Sequence, residues 1–286
     1  MKKYQNYDTK LSKPISIEDF KNPKFLPTHK QIYNFFQTQK QWEEFCFNDK
    51  FPVFEFLNQE YLDALTDYLE SRVSEYQTDP NQPLRILEVG AGNGRLSHFL
   101  RQRLDQRLPS QTQIFATDSG EWNLSTDFPV EQIDHIKALA KYNPDIVIFC
   151  WMPYQTDSTQ DFRSCPSVKE YILIGETDYG CCGHEWMTWG KKWDFEDHDQ
   201  KPYHIDSFER FDLQDLGRLQ ICRTDQLLDW RHSGTVSFRR QSKLTPLPKT
   251  KKDIVNLDST VDSLINAKHH TRNIVFEILK DLKKIK

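Results

Sequence analysis

The stretch LRILEVGAGNGR, residues 84–95, does most to limit what this chain can fold into. A short apolar run ends at Glu88-Val89, glycines follow at alternate positions, and an amphipathic pattern begins at once. That order is strand, tight turn and helix, and the glycines let a ligand approach the backbone at a helix N-terminus. In RLSHFLRQRL (95–104), Leu96, Phe99, Leu100 and Leu104 share one face. QIFATD (113–118), PDIVIFC (144–150) and EYILIGE (170–176) read as further strands, VEQID (130–134) as a short one, and IKALAKY (136–142) as a helix between them. Near-continuous apolar strands joined by helical crossovers predict an α/β chain whose parallel sheet is covered on both faces. RLQICRTD (218–225) and TVSFRRQ (235–241) are expected to be two later strands paired as an antiparallel edge hairpin.

Asp79-Pro80-Asn81-Gln82-Pro83 is a turn cluster and divides the first half. Residues 1–82 are expected to be a polar arm and a helical lid, 83–241 the core, and 242–286 a linker and a C-terminal helix with an apolar stripe. The 286 residues suffice for one large core with appended elements. A net charge of −4 offers no general attraction to nucleic acid. No apolar run approaches the roughly 18 residues of a membrane span, and Met1-Lys-Lys-Tyr lacks the core of a signal peptide. Six scattered cysteines then read as reduced thiols in a cytoplasmic protein.

The glycine spacing is G-x-G-x-G, preceded by Glu88, and Arg95 stands where the dinucleotide fingerprint has its last glycine. This pattern resembles motif I of class I S-adenosylmethionine (SAM)-dependent methyltransferases. The resemblance implies a Rossmann-like, seven-stranded, mostly parallel sheet, here with the edge hairpin and an N-terminal helical cap. It also implies that Glu88, Gly90, Ala91, Gly92, Asn93 and Gly94 line the methionine end and sulfonium side of SAM. Asp118, with Ser119 after it, ends the second strand where a carboxylate accepts ribose hydroxyls. Asp134 falls where the family reads the adenine edge. Cys150 and Trp151 fall at its motif IV.

The strand ending IFCWMPY (148–154) places Trp151 and Tyr154 at the same edge of the sheet. WMPY is similar to the Asp/Asn-Pro-Pro-Tyr loop of amino-group methyltransferases but lacks the acid or amide and one proline. The loop after the fifth strand, GETDYGCCGHEWMTWGKKW (175–193), adds Glu176, His184, Trp186, Trp189 and Trp193 as a lid or pocket wall. His184 is the candidate base, because imidazole titrates near neutrality. Adjacent Cys181 and Cys182 cannot easily chelate one ion, so no metal is expected.

PDIVIFCWMP, SVKEYILIGETDYG and WMTWG together resemble a branch of methyltransferase-like proteins. They also resemble the methyltransferase half of cyanobacterial methyltransferase–prenyltransferase fusions that tailor ribosomal peptides. These resemblances imply transfer of a methyl from SAM, leaving S-adenosylhomocysteine (SAH), to an oxygen of a small molecule or short peptide, a carboxylate included. Catalytic roles would fall to His184, Tyr154 and Trp151, with Trp186, Trp189 and Glu176 around the acceptor. The alternatives are an N-methyltransferase acting on an amine or protein side chain, and a catalytically idle SAM-binding partner. A fused or associated C-terminal domain fits the Lys-rich tail.

Overall fold

The structure, a computed structural model, describes residues 15–47, 52–123, 126–191, 200–225 and 233–241. The expected C-terminal helix lies outside these residues, as does Trp193.

Seven strands form one sheet: β1 (Leu84–Val89), β2 (Thr112–Asp118), β3 (Glu131–Gln132), β4 (Ile146–Cys150), β5 (Glu170–Glu176), β6 (Phe208–Asp212) and β7 (Ser233–Arg240). Their order is β3-β2-β1-β4-β5-β7-β6. The first five run parallel, and β7 pairs antiparallel with both β5 and β6. This is the Rossmann-like sheet that the resemblance implied. Its order reverses between β1 and β4, where open α/β sheets leave a crevice at the strands' C-terminal ends.

Side chains alternate across the sheet and fill two layers. Ile86, Ile146, Ile148 and Ile172 point to α4 (Gln59–Tyr76) and α5 (Arg95–Arg107). On the opposite face, Leu87, Val147, Phe149 and Leu173 meet α6 (His135–Tyr142) and α7 (Thr159–Ser164). The α4 helix begins after Asn58, whose side chain accepts from the Tyr61 N–H, and so belongs to the sheet's cover. Residues 52–57, within the stretch expected to be a helical lid, carry no helix.

Three shorter helices precede it: α1 (Ile17–Lys21), α2 (His29–Phe35) and α3 (Gln39–Cys46). Ser16 and Thr28 open the first two with capping boxes, each side chain meeting an N3 partner. These helices and the 52–56 segment enclose a separate small core of Ile32, Trp42, Cys46, Phe56 and Ile221.

The edge hairpin differs from expectation. Its partner strand is Phe208–Asp212, whereas RLQICRTD forms turns and a single bridge, Cys222 to Glu55. The reason lies in the lid. Phe56 donates its N–H to Ile221 O at 2.7 Å, and Arg223 donates to Phe54 O at 3.0 Å, so 221–223 pairs with 54–56 instead of with β7. Two short helices complete the C-terminal half, α8 (Pro202–Ile205) and α9 (Gln214–Gly217). Among the described residues, no helix is long and apolar enough to cross a membrane.

Candidate functional site

The turn after β1 is held open by its glycines. Gly90 sits at φ +62°, and a Cβ there would lie 2.4 Å from a ring carbon of Phe149 on the adjacent strand. Gly94, at φ +78°, is the residue before α5, and a Cβ there would meet Val130 at 2.6 Å. Both positions combine a left-handed backbone with no room for a side chain. Gly90→Ala is therefore expected to destabilise the protein by ~1–3 kcal/mol, read as a lower urea midpoint at unchanged slope.

Two carboxylates flank this turn. Glu88 is buried, and its Oε2 accepts from the Ser97 N–H at 3.0 Å and from the Ser97 hydroxyl. Burial raises its pKa to about 7, against the lowering pull of Ser97 and Arg101. Asp118 Oδ2 accepts the Gly92 N–H at 2.9 Å, and its Oδ1 accepts the Gly120 N–H at 2.8 Å. The end of β2 thus fixes the glycine turn of β1.

These groups open onto a cleft of about 1050 Å³. Its floor brings together Glu88, Gly90, Ala91, Gly92, Asn93, Asp118, Ser119, Cys150 and Trp151. Burial pushes the Cys150 thiol well up, with Glu55 and Glu88 adding to the effect, so it stays protonated. The lid forms the opposite wall with Phe20, Phe35, Phe36, Phe45 and Phe54. Phe54 bridges two tryptophans, with ring centroids 5.4 Å from Trp122 and 5.5 Å from Trp151. Arg95, at the start of α5, ties the lid down by donating Nε to Pro23 O at 3.1 Å and Nη2 to Phe25 O. Burial lowers its pKa to about 10.

The remaining sequence candidates lie elsewhere. Gly94 supports the turn without lining the cleft. Asp134 is the N-cap of α6, accepting the Lys137 N–H at 3.0 Å and pairing with its ammonium at 2.9 Å. Those two bonds hold its pKa down. His184 Nδ1 accepts the N–H groups of Trp186 and Met187 at 3.1 and 3.2 Å, so its ring caps a turn instead of facing the cleft. Trp189 is buried in the second core layer, with Nε1 on Cys182 O at 2.7 Å. Glu176 is also buried, accepting the Cys181 N–H at 2.8 Å and the Thr224 hydroxyl, and burial raises its pKa. Neither Tyr154 nor Trp186 lines the cleft. The loop after β5 packs inward because its tryptophan finds a hydrogen-bond acceptor and an apolar layer there.

Glu55 and Phe54 were not expected. Glu55 Oε2 accepts from Trp151 Nε1 at 2.9 Å and from Gln220 Nε2 at 3.2 Å, which puts a lid carboxylate at the end of β4. The lid's aromatic content was the only signal available, since residues 55, 151 and 220 show no common spacing.

No family model matches the chain, and no curated protein matches it. It is similar to several solved structures. The DszA carbon methyltransferase is 16% identical, with 63% of this chain and 52% of that one covered and a TM-score of 0.36. The SAM-dependent methyltransferase from Agrobacterium tumefaciens is 9% identical, with 64% and 62% covered and a TM-score of 0.32. The plantazolicin methyltransferase BpumL in complex with SAH is 10% identical, with 63% and 89% covered and a TM-score of 0.28. This chain therefore spans about half to two thirds of the length of the first two.

Proposed function

We propose that this chain is a SAM-dependent methyltransferase acting on a small molecule or short peptide. The observation that carries the reading is the meeting of Glu88, the glycine turn and Asp118 at one cleft over the sheet's switch point. The cradle fits a cofactor of SAM's size, because ligand pockets run to about 1,000 Å³ and this cleft holds about 1050 Å³. Asp118, anchored by two backbone N–H groups, would receive the ribose hydroxyls, and Glu88 the ammonium of the methionine end. When bound, the sulfonium supplies an electrophilic methyl. The protein's own part is alignment and exclusion of water by the aromatic lid.

The sequence favours an oxygen acceptor. A hydroxyl fits the cleft better than a carboxylate does, because the acids Glu44, Glu55, Glu88, Asp118, Glu121 and Asp127 line it against Lys21 and Arg95. The amine alternative gains from the same charge balance. Phosphate backbones are disfavoured by it.

Titration calorimetry should show SAH binding, and labelled SAM with fractionated extract should yield one methylated product identifiable by mass. Absence of SAH binding would end the proposal. A pH dependence follows from Glu88. Its raised pKa means that this group's stabilising contribution, present below about 4.5, is lost as pH rises through about 7. A bound ammonium favours the ionised form, so SAH affinity is expected to rise about tenfold between pH 6 and pH 8. Glu88→Gln should flatten that rise.

A further inference from the structure

Trp151 adopts a left-handed backbone (φ 61°) directly after β4, and its indole Nε1 turns onto Glu55 of the lid. A chain of buried polar groups stands behind this contact. The Tyr61 hydroxyl lies 2.7 Å from Thr235 Oγ1, Thr235 Oγ1 donates to Gln220 Oε1 at 3.0 Å, and Gln220 Nε2 reaches Glu55 Oε2. Tyr61, Gln220 and Thr235 are all buried. Such a network costs more to leave incomplete than it contributes, so its use is positional: it fixes the carboxylate and the Trp151 loop relative to each other. The WMPY loop carries no acid or amide of its own, and Glu55, almost a hundred residues earlier in the chain, stands in the cleft wall beside it.

The surroundings define what such a carboxylate receives. Phe54 and Trp151 stand next to it, each with one ring face covered by the Arg223 guanidinium at 4.2 and 5.2 Å, and the lid adds the rings of Phe35, Phe36 and Phe45 to the cleft wall. Among the described residues, six acids line the cleft against two bases. One of those, Lys21, pairs with Glu18 at 2.8 Å, and the guanidinium of Arg95 is turned to lid carbonyls. Aromatic faces beside a carboxylate in an acid-rich cleft suit a cation carried on an apolar body.

We propose that Glu55 is the acceptor-binding carboxylate of this cleft, and that the acceptor molecule carries a protonated amine, as the group Glu55 holds and not as the atom methylated, on an aromatic or otherwise apolar frame. This rests on the methyltransferase reading for the word acceptor, but the binding site it describes stands on its own. The amine's N–H groups donate to Glu55, and its frame lies against the lid phenylalanines. Gln220 and Trp151 act as positioning residues for the carboxylate.

The test uses the full chain, with 2-naphthylmethylammonium and 2-naphthoate as probes, titrated by calorimetry with and without saturating SAH. The ammonium is expected to bind at least tenfold more tightly than the carboxylate. Glu55→Gln, which keeps an acceptor for Trp151 Nε1, should abolish that preference while leaving SAH affinity and the thermal midpoint within twofold and a few degrees. Equal binding of the two probes, binding of neither, or a preference that survives Glu55→Gln would overturn the proposal. If SAH fails to bind while the Glu55-dependent preference persists, the cofactor reading falls and the cation site remains.

Discussion

Asp118→Ala is expected to weaken SAH binding by roughly a hundredfold or more, the largest effect on binding of any single change considered. Two losses combine. In the proposed binding mode the ribose hydroxyls lose a charged acceptor, and hydrogen bonds to charged groups contribute about 1.5–3 kcal/mol each. The N–H groups of Gly92 and Gly120, now satisfied by the two carboxylate oxygens, also lose their partner, so the glycine turn is no longer fixed to β2. Asp118→Asn retains one acceptor oxygen and should fall between the two. Calorimetry with SAH measures this directly, with thermal unfolding of the free protein as the control for folding. If Asp118→Ala bound SAH as the parent does, the cleft would not hold a nucleoside in the way described.

The largest stability effect is expected at Trp42. Its side chain is 1% exposed, stacks on Phe56 at 4.6 Å and 28°, and donates Nε1 to Arg223 O at 2.6 Å. Trp42→Ala removes the centre of the lid's core and leaves a buried carbonyl without its donor. Core aromatic truncations cost ~3–5 kcal/mol, which for a chain of this size lowers the thermal midpoint by roughly 10 °C. Because Ile221 is the one apolar member that the C-terminal half gives to the lid core among the described residues, the loss should appear as an early separate transition. Loss of the lid should also expose Trp151 to solvent, seen as a red-shifted tryptophan emission. A single unfolding transition at the parent temperature would show that the lid does not depend on this residue.

The sheet could be read from the sequence because its evidence is local. β1, β2, β4 and β5 are each built on a run of apolar residues bounded by turn formers, and the glycine turn with Glu88 and Asp118 follows from strand ends alone. Departures from the expected placements arose where the deciding partner is distant or where the neighbouring backbone claims the side chain. RLQICRTD has a strand's composition, yet its backbone is satisfied by 54–56, which no nearby residue announces. His184 has the chemistry of a base, but a local turn uses its Nδ1. Asp134 was expected to close a strand, but β3 stops at Gln132 and the helix that follows claims its carboxylate as a cap. Three tryptophans suggested a pocket wall, and the loop holding Trp186 and Trp189 turned inward because an indole N–H found the Cys182 carbonyl. Glu55 was invisible for the same reason: its meaning depends on Trp151 and Gln220.

The pairing of Trp42 with Arg223, 181 residues apart, has a consequence for how the molecule is made. Chains emerge from synthesis N-terminus first, and contacts between distant segments form late. The lid is made first, but its seat, the 221–223 segment, is among the last parts of the core to appear. Until then the cluster of Phe36, Trp42, Phe45 and Phe56 lacks the cover of Ile221 and the acceptor of Trp42. A nascent chain stalled before residue 221 should therefore carry an exposed aromatic cluster, and holdase chaperones that recognise apolar segments should bind it until the seat arrives.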